Sequence, residues 1–348
     1  MSIHSPRNYL RLDMRILFVH NYPRGNAANF VMADLDLLRE RYEVDEFSLA
    51  ERSWRRGPLF SPAAWRIVAQ YDMVYAWFGV CAPIILMART LGKPAFVCAG
   101  GVDAVHIPQI SYGLGNLTAR RRWLVLFGFR LASRVLVFSE ASRLSLQSQP
   151  GIKPDNLVTL YLGIDIDYFT PVSQKKSQVL TVSYITQSNL RRKGILTFIE
   201  TAKLAPNIPF LLAGRVIESS VVEQIKRVCP GNLAFLGELS QDQLRSAYQQ
   251  ALIYAQLSWH EGFGVSLAEA MACGCIPIVT KSGSLPEIVG DMGFYVALED
   301  AQAAADACLQ VISSDSSSQI QQARDRIVQH FPLDKRRQSL FEYLDRLN

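Results

Sequence analysis

A chain of 348 residues, 49% hydrophobic and 19% charged, has a globular composition and enough length for two domains of ordinary size. Its net charge of +5 suits anionic ligands or an anionic membrane surface and is too weak to point to nucleic acid. Six scattered cysteines form no C-x-x-C pair and no Cys/His cluster, so neither a disulfide framework nor a metal site is expected, only reduced core thiols in a cytosolic protein.

Residues 1–13 are mostly polar, and Arg15–His20 starts a strand rather than the apolar stretch of a leader. A loop containing Gly25 and a helix near residues 27–41 follow. Further strands are expected at 73–76, 95–98, 134–138 and 157–160. The longest uncharged apolar run, 73–88, falls short of the roughly 18 residues that a membrane span needs. Gly79 and Pro83 also break it, so no span is expected.

The segment G-I-D-I-D-Y-F-T-P at 163–171 and the polar stretch 172–178 mark a domain boundary. Beyond it, strands are expected at 179–184, 210–213, 233–236, 252–256, 276–279 and 294–296, with helices between them such as 195–205 and 241–251. The string N-L-R-R-K-G at 189–194 reads as the basic opening of a helix, where cations oppose the helix dipole. After Asp300 the chain turns helical, with 333–347 the candidate last helix. Alternating strands and helices in both halves are the pattern of parallel α/β sheets, whose ligands sit at the carboxyl ends of strands.

The stretch richest in chemistry is 258–290, S-W-H-E-G-F-G-V-S-L-A-E-A-M-A-C-G-C-I-P-I-V-T-K-S-G-S-L-P-E-I-V-G. It places Glu261 and Glu269 with seven residues between them around a glycine turn. Gly262 and Gly264 permit tight backbone, 265–273 reads as helix, and Gly274 stops it. A helix N-terminus suits a phosphate, and a carboxylate one turn further in suits the hydroxyls of the same ligand.

This stretch resembles the signature of the family 4 glycosyltransferases, in its E-x7-E spacing, small-residue helix, C-x-P-I-V and G-S-L-P-E-I-V-G. The resemblance implies an α/β fold of the GT-B kind, two Rossmann-like doubly wound domains facing across a cleft. It assigns 1–170 to the acceptor and 171–330 to the nucleotide-sugar donor, with 331–348 a helix crossing back to the first domain. It places Glu261 on the donor sugar and Glu269 on the nucleotide ribose. Lys193 matches the phosphate-binding lysine. The Gly-Arg usual in the family a few residues before that lysine is replaced by Gln187 and Ser188. Either Arg191 or Arg192 supplies the missing guanidinium, or the diphosphate is held less tightly.

By the same resemblance Gly214 and Gly237 lie near the nucleotide, and Gly262, Phe263, Gly264 and Val265 present backbone N–H groups to the donor. Gly25 sits in the first β–α loop, as a weak form of the family's glycine-rich loop or as a plain turn. Asp103, in A-G-G-V-D, either bonds the acceptor hydroxyl or donor sugar, or is a turn aspartate. His106 is a weaker candidate. Ser139 is expected to cap a helix, and Glu287 to be an acceptor at a helix start. The run R-R-R-W-L-V-L-F at 120–127 is either a helix packed into its domain or a contact with an anionic membrane face.

The resemblance therefore implies a retaining glycosyltransferase that uses a nucleoside-diphosphate sugar and a glycan or lipid-linked acceptor, without metal or other cofactor and without nucleic acid. Glu261, Lys193 and Asp103 carry its chemistry. Its place is cytoplasmic, with peripheral attachment at the inner membrane face left open, and its pathway cell-surface polysaccharide or glycolipid synthesis. Two rivals stand beside it: a GT-B binding subunit with weak or no turnover, and a GT-B sugar-nucleotide epimerase. A nicotinamide dehydrogenase is disfavoured, since no strand leads into G-x-G-x-x-G.

Overall fold

The computed structural model describes residues 13–23, 25–50 and 61–346. The polar segment expected to lack a leader, 1–12, lies outside the described residues, as does Arg24 of the first loop. The chain forms two compact units, one of residues up to 160 joined by 341–348, the other of residues 161–340. The segment 163–171, expected as the boundary, thus lies inside the second unit.

In the first unit β1 (Arg15–His20), α1 (Asn29–Arg39), β2 (Glu43–Ser48), α2 (Pro62–Ala69), β3 (Met73–Trp77), α3 (Ala82–Thr90) and β4 (Ala95–Ala99) follow in order. A two-residue hairpin, β5 (His106–Ile107) and β6 (Tyr112–Gly113), leads to α4 (Ala119–Leu131), β7 (Arg134–Val137), α5 (Glu140–Gln147) and β8 (Leu157–Thr159). The sheet is parallel in the order β2-β1-β3-β4-β7-β8, so its direction of winding reverses between β1 and β3.

The second unit runs β9 (Lys176–Val182), α6 (Gln187–Arg192), α7 (Ile195–Leu204), β10 (Phe210–Ala213), α8 (Ser219–Val228), β11 (Leu233–Gly237) and α9 (Gln241–Gln250). There follow β12 (Ala251–Gln256), α10 (Val265–Ala272), β13 (Ile276–Thr280), α11 (Leu285–Val289), β14 (Phe294–Val296), α12 (Ala301–Ser313), α13 (Ser317–His330) and α14 (Leu333–Asp345). Its parallel order β11-β10-β9-β12-β13-β14 reverses between β9 and β12. Switch points of this kind are where open α/β sheets bind ligands.

Central strands such as β3, β4, β12 and β13 are buried along their whole length, which is why they read as unbroken apolar runs. The sequence reading missed β2 because E-V-D-E-F-S is an edge strand with only its inward residues apolar. Each unit closes its own core, around Leu17, Val74, Ile85, Val97 and Val135 in the first and Phe198, Phe210, Ile253 and Ile276 in the second. Among the described residues no helix is long and apolar enough to cross a membrane.

Candidate active site at the carboxyl edge of the second sheet

Strands β9 and β12 are neighbours in the sheet, and the loops that leave their carboxyl ends meet at the switch point. Two glycines allow the close approaches here, one between α6 and α7 against the end of β12 and one after β13 against the β12 loop. Gly194 has φ +69°, and a Cβ there would stand 2.0 Å from the Leu257 carbonyl oxygen. Gly283 has φ +55°, and its Cβ would stand 2.4 Å from the Glu261 carbonyl oxygen. Only glycine fits either place. The loop after β12 is then fixed by Trp259 N–H donating to the Arg192 carbonyl (2.8 Å), Ser284 N–H to the Glu261 carbonyl (3.1 Å) and Thr280 Oγ1 to the Ser258 carbonyl (2.5 Å).

This scaffold brings Lys193 onto Glu261. Nζ donates to Oε1 at 2.7 Å and to Oε2 at 2.6 Å. Ser258 Oγ (2.7 Å) and Gln256 Nε2 (3.0 Å) also donate to Oε1. Gln256 is held in turn by the Tyr254 hydroxyl at 3.2 Å. Burial alone would raise the pKa of Glu261. The charges of Lys193 and Arg192, with the hydrogen bonds from Lys193 and Ser258, bring it below the ordinary glutamate value instead. Burial lowers the pKa of Lys193, with Arg192 adding to that and Glu261 opposing it. The sequence reading missed Gln256 and Ser258, although a glutamine ending the apolar strand A-L-I-Y-A-Q was a signal.

The basic string is placed differently from its sequence reading. Residues 189–194 do not open a helix: Arg191 and Arg192 form the last turn of α6, and Lys193 is its C-cap. Cations are favoured there by the helix dipole, so their position needs no functional explanation on that ground. The two arginines also part company. Arg191 bonds Glu299 (Nε to Oε1, 2.6 Å) and lies 4.7 Å from the centre of the Trp259 ring, while Trp259 Nε1 donates to the same Glu299 oxygen at 3.1 Å. Arg192 donates to Asn189 Oδ1 (2.6 and 3.1 Å) and adds its charge beside Glu261. Ser188, where the family's arginine is absent, shares a hydrogen bond with Thr186 at 3.1 Å.

Glu269 lies in α10, one turn in from Gly264, whose φ of +93° starts the helix. The Tyr248 hydroxyl donates to Glu269 Oε2 at 3.1 Å, but burial dominates and pushes the Glu269 pKa up to about 7. Phe263 turns its ring into the unit, beside Tyr161 and Phe331, so what it offers toward solvent is main chain. Gly262 precedes it, and Val265 begins the helix, where unsatisfied N–H groups collect. Next to Glu261, His260 is held neutral: burial lowers its pKa to about 4, although Glu261 opposes the shift.

Gly214 and Gly237 are joined by Gly214 N–H donating to the Gly237 carbonyl at 2.8 Å, across the ends of β10 and β11. Tyr184 and Ile217, past the ends of β9 and β10, and Leu236 near the end of β11 are exposed at 57%, 56% and 38%. Glu287, in the first turn of α11, accepts from the Tyr161 hydroxyl at 2.9 Å.

The first unit holds the other expected residues. Gly25 has φ +74° and open space around it. Asp103 needs correction as a catalytic candidate. It is 2% exposed, and its two carboxylate oxygens accept from Gly79 N–H (3.0 Å) and Gly100 N–H (2.9 Å), clamping the loops that follow β3 and β4. A side chain spent on backbone amides and closed to solvent positions loops rather than meeting a substrate. Ser139 caps α5 through the Ser142 N–H at 3.1 Å, and His106 Nδ1 accepts from Gly115 N–H.

Residues 171–328 match the family model described as glycosyl transferases group 1, which covers most of the second unit. The chain is 30% identical over 210 residues to O-antigen chain mannosyltransferase B of Escherichia coli, covering 56% of this chain and 55% of the relative. It is 25% identical over 226 residues to D-inositol 3-phosphate glycosyltransferase of Mycolicibacterium smegmatis, covering 60% and 49%. The chain spans about half the length of the curated relatives it matches. Among solved structures it resembles Anabaena HepE in complex with UDP and glucose (TM-score 0.77, 19% identity, 95% of this chain and 99% of that one). It also resembles sucrose-phosphate synthase of Thermosynechococcus elongatus (TM-score 0.79, 16% identity, 96% and 99%). The fold is GT-B, two Rossmann-like domains in one chain.

Proposed function

We propose that the chain is a retaining glycosyltransferase that moves a sugar from a nucleoside-diphosphate donor to a hydroxyl acceptor. The observation that carries this reading is the Lys193–Glu261 pair at the β9/β12 switch point, beside the start of α10 and one turn from Glu269. A cation and helix N–H groups match the diphosphate, and two carboxylates match sugar and ribose hydroxyls. Exposed apolar side chains at the ends of β9, β10 and β11, Tyr184, Ile217 and Leu236, suit the face of a nucleobase. The matched family model covers these same residues, and several curated relatives are named as glycosyltransferases.

In the reaction the developing charge of the leaving diphosphate is stabilised by Lys193, Arg192 and the α10 start, without metal. Glu261 orients the sugar and Glu269 the ribose. The acceptor attacks on the face that the diphosphate leaves, and a phosphate oxygen receives the acceptor's proton. Glu261 is a positioning carboxylate rather than a nucleophile in this scheme, with Oε1 held by its donors and Oε2 given to the sugar hydroxyls.

The acceptor class is a glycan or a lipid-linked sugar in cell-surface polysaccharide or glycolipid synthesis, with the chain in the cytoplasm. Names of relatives point the same way, among them the GDP-mannose:cellobiosyl-diphosphopolyprenol alpha-mannosyltransferase of Xanthomonas campestris. Peripheral membrane contact falls to the start of α4, where Arg120, Arg121, Arg122 and Trp123 are all exposed.

The test is a donor panel that includes GDP-mannose and UDP-glucose, offered with lipid-linked and soluble acceptors, with and without chelator. The reading expects chelator-insensitive transfer with retained anomeric configuration. Binding without transfer or hydrolysis across the panel would instead favour the non-catalytic subunit, for which Ser188 in place of arginine speaks. Conversion of donor alone into an isomer would favour the epimerase.

A further inference from the structure

The resting ion pair raises a difficulty that the structure itself answers. Lys193 cannot serve a phosphate and stay on Glu261 with both bonds intact. The side chain of Lys193 is 21% exposed, against 7% for Glu261, so the lysine stands on the solvent side and the carboxylate behind it. Once Lys193 turns outward, a carboxylate buried to this degree keeps the charge of Arg192 beside it and has to find the rest of its compensation in hydrogen-bond donors.

That compensation is already in place on one oxygen. Oε1 accepts from Lys193, Ser258 and Gln256, whereas among the described residues Oε2 accepts from Lys193 alone. Gln256 is 2% exposed and Ser258 is fully buried. The Gln256 amide is fixed at both ends: its Oε1 takes the Tyr254 hydroxyl, and its Nε2 reaches both Glu261 and Ser258 Oγ, the latter at 2.7 Å. Removing Lys193 would therefore leave Oε1 with two donors and Oε2 with none. The backbone of Glu261 stays pinned by Ser284 and by the glycine contact at 283.

We infer that Gln256 and Ser258 are positioning residues that anchor Glu261 by Oε1 while Lys193 exchanges that carboxylate for the donor's phosphate, leaving Oε2 to accept the sugar hydroxyls. The ion pair is thus a placeholder: the donor brings an anion for Lys193 and hydroxyls for Glu261, so each partner can exchange the other for the ligand. This rests on the donor-site reading above.

The test follows the proton rather than the rate. In the wild type, binding of GDP or UDP moves Lys193 and leaves Glu261 ionised on its two remaining donors. In Gln256→Met the same binding leaves Glu261 with one donor, and it takes up a proton. Calorimetric titration of GDP and UDP at about pH 6.5, in buffers of different ionisation enthalpy, should show up to about one extra proton taken up per nucleotide by the variant. Ser258→Ala should show the same in part, and it carries the test if Gln256→Met does not fold.

With a turned-over donor, the acid limb of kcat should move to higher pH in Gln256→Met while that of kcat/KM stays, because only the bound complex has lost Lys193 from Glu261. A merely structural role would lower both without moving either limb. Equal proton uptake by wild type and folded variants, with nucleotide bound, would overturn the inference. Failure of the wild type to bind either GDP or UDP would overturn the donor-site reading itself, and this inference with it.

Discussion

Asp103 and Glu261 are buried carboxylates at the carboxyl edges of the two sheets, and they behave oppositely. Asp103 in the first unit is 2% exposed and Glu261 in the second 5%. Burial pushes the Asp103 pKa up to about 7, and its backbone hydrogen bonds reduce that shift without cancelling it. Glu261 suffers the same burial yet falls below its ordinary value, because Lys193 and Arg192 stand beside it. Similar burial with different partners gives different tasks. Amide partners belong to the fold and cannot leave, so Asp103 is a clamp. A lysine partly open to solvent can turn away, so Glu261 can trade its partner for a ligand.

The comparison breaks most easily at its largest expected effect. Glu261→Ala should lower transfer per folded molecule about 10²–10³-fold. Initial rates with the best donor of the panel check this, and a loss under tenfold would remove the functional half of the contrast. Asp103→Ala should do the reverse: about 1–3 kcal/mol of stability lost for two stranded amides, read by chemical denaturation, with activity per folded molecule largely kept. Asp103→Asn should not rescue it, because the amide would aim N–H groups at a backbone N–H.

A smaller effect concerns pH. With its pKa near 7, Glu269 is protonated below neutrality and becomes a charged acceptor above it. Affinity for GDP or UDP should therefore rise as pH increases through about 7, by up to about tenfold, and Glu269→Gln should flatten the dependence. A flat wild-type profile between pH 5.5 and 8.5 would separate Glu269 from the ribose. The smallest effect distinguishes the arginines. Arg192→Ala should cost about tenfold in rate and Arg191→Ala only two- to threefold, since Arg191 faces Glu299 and Trp259. The opposite order would return the phosphate role to Arg191.

Much of the fold was legible because fully buried parallel strands leave continuous apolar runs, as at β4 and β13. The edge strand β2 left no such run. The helix at 265–273 and its glycine stop were readable from local rules alone, and α10 with Gly274 at φ +79° agrees with them. The basic string was misread because a single left-handed glycine, Gly194, splits it into the end of α6 and the start of α7, and sequence alone does not show on which side of that break Lys193 falls. Gln256 and Ser258 left only the weak signal of polar residues at the end of an apolar strand, and Glu299 left none. Their meaning depends on β9, β12 and β14 ending at one edge, which strand order sets and local sequence does not.

The central claim is that Lys193 meets the donor's diphosphate and rests on Glu261 until it does. It is tested most directly by measuring the rate of transfer from the best donor by wild type and Lys193→Ala at saturating acceptor. The account predicts a loss of at least about 10²-fold in kcat for the variant, with its fold intact by thermal unfolding. Near-wild-type turnover by Lys193→Ala would contradict it.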